Sequence, residues 1–229
     1  MDLEKYYCDN ANNSISISHN GYVKLENLDI LKIKDNELYT NFIEPLLKNM
    51  KKLQITNYSK SWFYNLPNYI TELDLQLESY KEISLDNLHN GLRLLSINNW
   101  TGDEEDSINK PINNLPQTLE HLLISSQYFN QSIDLLPLSL KSLCIYSNRF
   151  NQSLSNLPIN LEYLLISRFC KIKNNFTLSD KLMNLPENLK KLKILDKLIP
   201  YDIQEFLDIM KTRYPSLKIE ILGDINFYG

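Results

Sequence analysis

At 229 residues with 43% hydrophobic and 23% charged positions, the chain has the make-up of a folded protein, and its net charge of −4 argues against a phosphate backbone or an anionic membrane as partner. Only 5 glycines leave little material for glycine-rich, phosphate-cradling loops. The 3 cysteines, Cys8, Cys144 and Cys170, show neither C-x-x-C spacing nor a nearby histidine pair, so neither a disulfide framework nor a zinc site is expected, and a reducing compartment is the simpler reading.

The amino terminus, Met1-Asp2-Leu3-Glu4-Lys5, is polar and lacks the apolar run of a secretory signal. No later stretch approaches the roughly 18 apolar residues of a membrane span, so a cytoplasmic protein is expected. Ser14-Ile15-Ser16-Ile17-Ser18 and Tyr22-Val23-Lys24-Leu25 each alternate apolar with polar, and His19-Asn20-Gly21 lies between them. An Asn-Gly between two runs of period 2 predicts a β-hairpin, because both central turn positions need positive φ. We read residues 1–27 as an amino-terminal hairpin cap.

Residues 28–198 read as about eight repeats. Leu28, Leu31, Ile33, Asn36 and Leu38 fit L-x-x-L-x-L-x-x-N-x-L, and the pattern returns at Met50-Leu53-Ile55, Ile70-Leu73-Leu75, Leu92-Leu95-Ile97 and Leu189-Leu192-Ile194. The centre is the clearest part: Leu119, Leu122, Ile124, Phe129, Asn130, Gln131, Ser132 and Ile133 recur 21 residues later as Leu140, Leu143, Ile145, Phe150, Asn151, Gln152, Ser153 and Leu154. A third copy opens with Leu161, Leu164 and Ile166. A unit too short to bury its own apolar face must stack on its neighbours, so a solenoid is implied. Insertions fall around residues 101–107 and 170–181 and are expected to bulge as loops.

Each L-x-x-L-x-I alternates and predicts one short strand, its Leu and Ile inward and its x positions towards solvent. Leu66-Pro67, Leu115-Pro116, Leu136-Pro137, Leu157-Pro158 and Leu185-Pro186 precede the strands, and proline's fixed φ and missing donor favour an extended rather than helical outer wall. Residues 199–229 read as a helix-strand cap. Ile203, Phe206, Leu207 and Met210 keep helical spacing, Lys211 and Arg213 complement the last turn, Pro215 ends the helix, and Leu217-Lys218-Ile219-Glu220-Ile221 alternates. The expected fold class is an α/β solenoid, a leucine-rich-repeat horseshoe with a parallel inner β-sheet, a mostly extended outer wall and two caps in one domain.

Phe129-Asn130-Gln131-Ser132-Ile133 and Phe150-Asn151-Gln152-Ser153-Leu154, with Ile108-Asn109-Lys110-Pro111-Ile112 as a degenerate copy, resemble the FNIP repeat, a leucine-rich-repeat variant of slime moulds and giant DNA viruses. The recurrent L-P-x-x-L-x-x-L-x-I is also similar to the short repeats of bacterial effectors. The resemblance implies a protein-binding module, in the host cytoplasm if viral. Viral members often carry an F-box ahead of the repeats; none is seen in these residues, which makes an adaptor for ubiquitination machinery a distant alternative.

Chemistry is not expected. His19, His89 and His121 are scattered, no nucleophile-base spacing is recognisable, and Asp103-Glu104-Glu105-Asp106 lacks the alternating oxygen ligands of a calcium loop. We therefore expect no enzyme, no cofactor and no metal. Asn109, Asn130 and Asn151, and the Asn residues before Leu-Pro (Asn65, Asn114, Asn156 and Asn184), read as structural columns that satisfy backbone groups. Phe129 and Phe150 read as a stacked core spine. What remains is the inner face, where Leu123, Cys144 and Leu165 interrupt a polar column and His121, Tyr146 and Tyr163 flank them. These six are the candidate partner-binding residues. The expected partner is a protein; a self-assembling homo-oligomer is the alternative.

Overall fold

The computed structural model describes residues 6–7, 14–17, 22–26, 52–56, 68–76, 84–99, 104–105, 107–167, 182, 184–195 and 203–222. Its strands are β1 (Tyr6–Tyr7), β2 (Ser14–Ile17), β3 (Tyr22–Glu26), β4 (Lys52–Thr56), β5 (Glu72–Gln76), β6 (Leu94–Asn99), β7 (His121–Ser126), β8 (Ser142–Tyr146), β9 (Tyr163–Ser167), β10 (Lys191–Leu195) and β11 (Lys218–Leu222), with helix α1 (Ile203–Arg213) before β11. They form one open sheet in strict sequence order. β1, β2 and β3 pair antiparallel, and every pairing from β3 to β11 is parallel. A parallel neighbour requires the chain to cross back between strands, so each strand marks one turn of a solenoid-like repeat. Among the described residues no helix is long and apolar enough to cross a membrane.

The register follows the repeat. Leu73, Leu95, Leu122, Leu143, Leu164 and Leu192 stand in one row and Leu75, Ile97, Ile124, Ile145, Ile166 and Ile194 in a second. All are at most 2% exposed, so the period-2 alternation does select the core face. The leading residues Leu119, Leu140 and Leu161 are buried too, although they precede the strands. Their amides donate to the carbonyls of Pro116, Pro137 and Pro158 at 3.0 Å, closing a tight turn that swings the chain from the return half into the strand. In the return halves between β4 and β10 the described residues hold turns and no α-helix. There Phe129 and Phe150 stack with centroids 6.1 Å apart and planes 4° from parallel, as expected of a core spine.

The Asn109–Asn130–Asn151 column forms a ladder between turns. The amide of Asn130 donates to Asn109 Oδ1 at 2.9 Å and that of Asn151 to Asn130 Oδ1 at 2.8 Å. Gln131 and Gln152 Nε2 donate to the backbone carbonyls of Asn109 and Asn130, both at 2.9 Å. The column before Leu-Pro behaves differently from expectation. Asn114 and Asn156 are exposed, and their Nδ2 groups donate to carboxylates, Asp86 and Asp134, rather than to backbone groups.

Two assignments change at the amino-terminal side. The hairpin predicted over 14–25 is present as β2 and β3, but β3 is also the first parallel strand, placing Val23 and Leu25 against Leu53 and Ile55. The repeat read from Leu28 to Leu38 lies outside the described residues, and the place beside β4 belongs to β3. The second insertion also lies outside them. Both insertions leave the sheet unbroken, since β6 pairs directly with β7 and β9 with β10. At the other end α1 and β11 appear where predicted, with Phe206, Met210 and Leu217 joining the core and Tyr214 Oη accepting from the Leu185 amide at 2.9 Å.

Candidate functional site

The pleat that buries Leu and Ile turns the residues between them outwards, so the solvent face of the sheet is composed of the x positions. Register places Leu123, Cys144 and Leu165 side by side on β7, β8 and β9, with Lys193 and Glu220 continuing the row on β10 and β11. Tyr163 flanks this row in line with His121 and Ser142, and Tyr146 flanks it on the other side in line with Ser125 and Ser167. The six candidate residues are thus brought onto one face across three adjacent strands.

They are not equally available. His121 is exposed, and Leu123, Cys144, Tyr146 and Tyr163 are half-buried. Leu165 is only 5% exposed. The expectation that Leu165 faces solvent is therefore corrected: it is buried beside Cys144. The electrostatics reflect this packing. Burial pushes the Cys144 thiol up, against a hydrogen bond with Ser142 and the nearby charge of Lys193, which pull it down. Burial likewise raises the phenols of Tyr146 and Tyr163, each with a smaller contribution from Cys144. A raised thiol is a poor nucleophile at neutral pH, so the arrangement favours contact over chemistry.

Two flanks of charge border the patch. On the β11 side, Glu220 accepts from Lys193 at 2.7 Å and Lys191 at 2.9 Å, with Lys218 at 3.8 Å. The hydrogen bonds from Lys193 and then Lys191 hold the Glu220 carboxyl down at about 2. On the β5 side, Glu72 lies 4.0 Å from Lys52, and the Asp74 carboxylate accepts from Asn98 at 3.0 Å and Gln76 at 3.1 Å.

A separate feature lies where the turns enter the strands. Glu120 bridges Arg93 and Lys141, and Glu162 pairs with Lys190, one charge per turn along an open groove of about 570 Å³. The bonds from Lys141 and Arg93 lower the Glu120 carboxyl. Its signal was legible as alternating sign at the same position of successive repeats. On the return half, Leu135, Leu138 and Ile159 are 62%, 64% and 57% exposed. Among the described residues no cluster of three or more His, Cys, Asp or Glu is grouped to hold a metal; Glu104 and Glu105 of the acidic run are exposed.

Compared with known proteins, the chain matches no protein-family model and no curated protein.

Proposed function

We propose that this chain is a non-catalytic protein-binding module, a leucine-rich-repeat horseshoe of the FNIP type that engages a partner protein on the solvent face of its sheet. The observation that carries the reading is the contiguity of Leu123, Cys144, Tyr146 and Tyr163, all half-buried, on adjacent strands. Contiguous apolar surface with aromatic anchors is the usual make-up of a binding hot spot, whereas isolated apolar residues carry no such meaning. Return halves built of turns, with the Phe129 and Phe150 rings stacked between successive turns, support the horseshoe reading.

A second reading places binding on the return half, and the exposed Leu135, Leu138 and Ile159 favour it. Capture from lysate separates the two. Wild type is compared with Leu123→Asp and Tyr146→Ala on the sheet face and with Leu138→Asp and Ile159→Asp on the return half, each checked by thermal unfolding. A partner lost only with the first pair supports the proposal. One lost only with the second pair moves the site to the return half. An adaptor role would further require ubiquitination components among the captured proteins.

A further inference from the structure

Resting on that reading, we propose that the sheet face takes one extended, acidic peptide segment of its partner. A large apolar side chain of the segment seats on Leu123, Cys144, Tyr146 and Tyr163, and carboxylates further along it reach the lysines of β10 and β11. Two adjoining features of one face carry the inference, an apolar patch and a cationic cluster. Register continues the row of Leu123, Cys144 and Leu165 into Lys193 and Glu220. The neighbouring row runs from His121 and Ser142 through Tyr163 to Lys191 and Lys218. A chain that crosses the strands therefore passes from apolar to cationic surface without leaving the face.

The cluster is short of negative charge. Lys193, Lys191 and Lys218 stand 2.7, 2.9 and 3.8 Å from the oxygens of Glu220. Three ammonium groups carry more charge and more donors than one carboxylate can match, and among the described residues Glu220 is the carboxylate they share. The side chains of Lys191 and Lys193 are only 31% and 27% exposed, so both are already held in place and little freedom is lost when a ligand recruits them. An incoming carboxylate supplies the missing charge through charge-assisted hydrogen bonds. Strands β5, β6 and β7 carry no lysine or arginine, so the cationic end fixes which way the segment lies.

Geometry sets the spacing of the ligand. β8 and β10 are two strand spacings apart, about 9.6 Å, which an extended chain covers in about three residues. The inner face of a horseshoe curves towards its ligand and so receives one narrow chain along its length. The net charge of −4 gives no long-range pull on an acidic partner, so the attraction acts within a screening length of about 8–10 Å and is sensitive to salt.

The test is fluorescence anisotropy of short synthetic peptides titrated with the purified full chain. The probe carries one tryptophan and, about three residues away, a run of glutamates, and it is made in both chain directions. Control peptides replace the tryptophan by alanine or the glutamates by lysine. One direction of the probe should bind, and each control at least about tenfold more weakly. Glu220→Gln removes the carboxylate that competes for the lysines and should tighten binding by about threefold or more, a gain that loss of structure does not produce. Lys191→Gln with Lys193→Gln, and separately Leu123→Asp, should weaken it at least about tenfold in protein shown to be folded by thermal unfolding. Lys218→Gln, at a side chain 69% exposed, reads the same loss in smaller measure if the double variant does not fold. No binding at about 0.5 mM protein, equal affinity for the peptide without tryptophan, or a folded Glu220→Gln that binds no tighter would each overturn the inference. A protein captured by wild type and lost with Leu123→Asp, while the acidic probes stay unbound, would overturn it too and leave the proposed function standing with a partner of other chemistry.

Discussion

Leu123 and Leu165 occupy one row two strands apart, yet their surroundings set them apart. Leu165 is only 5% exposed while Leu123 is half-buried, so the same substitution has different outcomes. Leu165→Asp forces a charge into a buried position and should destabilise by more than about 2 kcal/mol in urea unfolding. Leu123→Asp should change stability by less than about 1 kcal/mol, and for that reason it is the better probe of binding. Equal losses would show that both leucines share one environment. Between them, Cys144 has its thiol raised chiefly by burial, so little thiolate exists at neutral pH. Site-resolved alkylation should run slower than for an exposed model thiol at about pH 7.5 and should keep rising with pH beyond the point where the model thiol levels off. Fast labelling at neutral pH would mean that the patch opens.

At the scale of the repeat, stability resides in two parallel series of contacts, the inward aliphatic rows and the amide ladder of the return half. Leu143 is fully buried in the middle of its row, so Leu143→Ala should cost about 2–5 kcal/mol. Asn130 accepts both the amide of Asn151 and the side chain of Gln152, and Asn130→Ala removes that acceptor, an expected loss of about 1–3 kcal/mol. Asn151 is exposed, so its alanine variant should lose less; the reverse order would place the support elsewhere. Gly91 is a further check on how turns approach, because a Cβ there would sit 2.6 Å from the Asn68 carbonyl oxygen, and Gly91→Ala should lower the melting temperature. These features were unequally legible. The strands and their buried rows could be read because period-2 alternation and a 21-residue repeat both act within short stretches of chain. The place of β3 beside β4 could not be read, since an Asn-Gly hairpin looks the same whether or not its second strand joins a parallel sheet. Nor could the burial of Leu165 or the Lys191–Lys193–Glu220 cluster, which join side chains from strands distant in sequence.

For the whole molecule, the carboxy-terminal strand is where charge and packing meet. Glu220 has its carboxyl depressed to about 2, so the stabilisation from its lysines is fully present above the ordinary carboxylate range and is lost progressively as pH falls from there to about 2. Its side-chain carboxyl resonance should therefore stay in the ionised position at pH 3.5, where exposed glutamates are mostly protonated; a midpoint near 4.5 would mean the lysines do not hold it. The same segment closes the core. Phe206, Met210 and Leu217 are buried against the stack, β11 pairs along the whole of β10, and the Leu185 amide reaches forward to Tyr214. A chain ending at Leu198 loses all of these together, leaving Leu192 and Ile194 without their covering layer and β10 with an unpaired edge. Solenoid stability is a sum of turns and the interfaces between neighbours, so the damage should begin at β10 and spread as each exposed turn loses its partner. Light scattering after size exclusion should show aggregates, and thermal unfolding should begin earlier and lose its sharpness. Ile203→Asp, at a site already 40% exposed on the first turn of α1, serves as the control and should leave both measurements nearly unchanged. A truncated chain that stays monodisperse with the wild-type melting temperature would show that the repeats need no cover at this end.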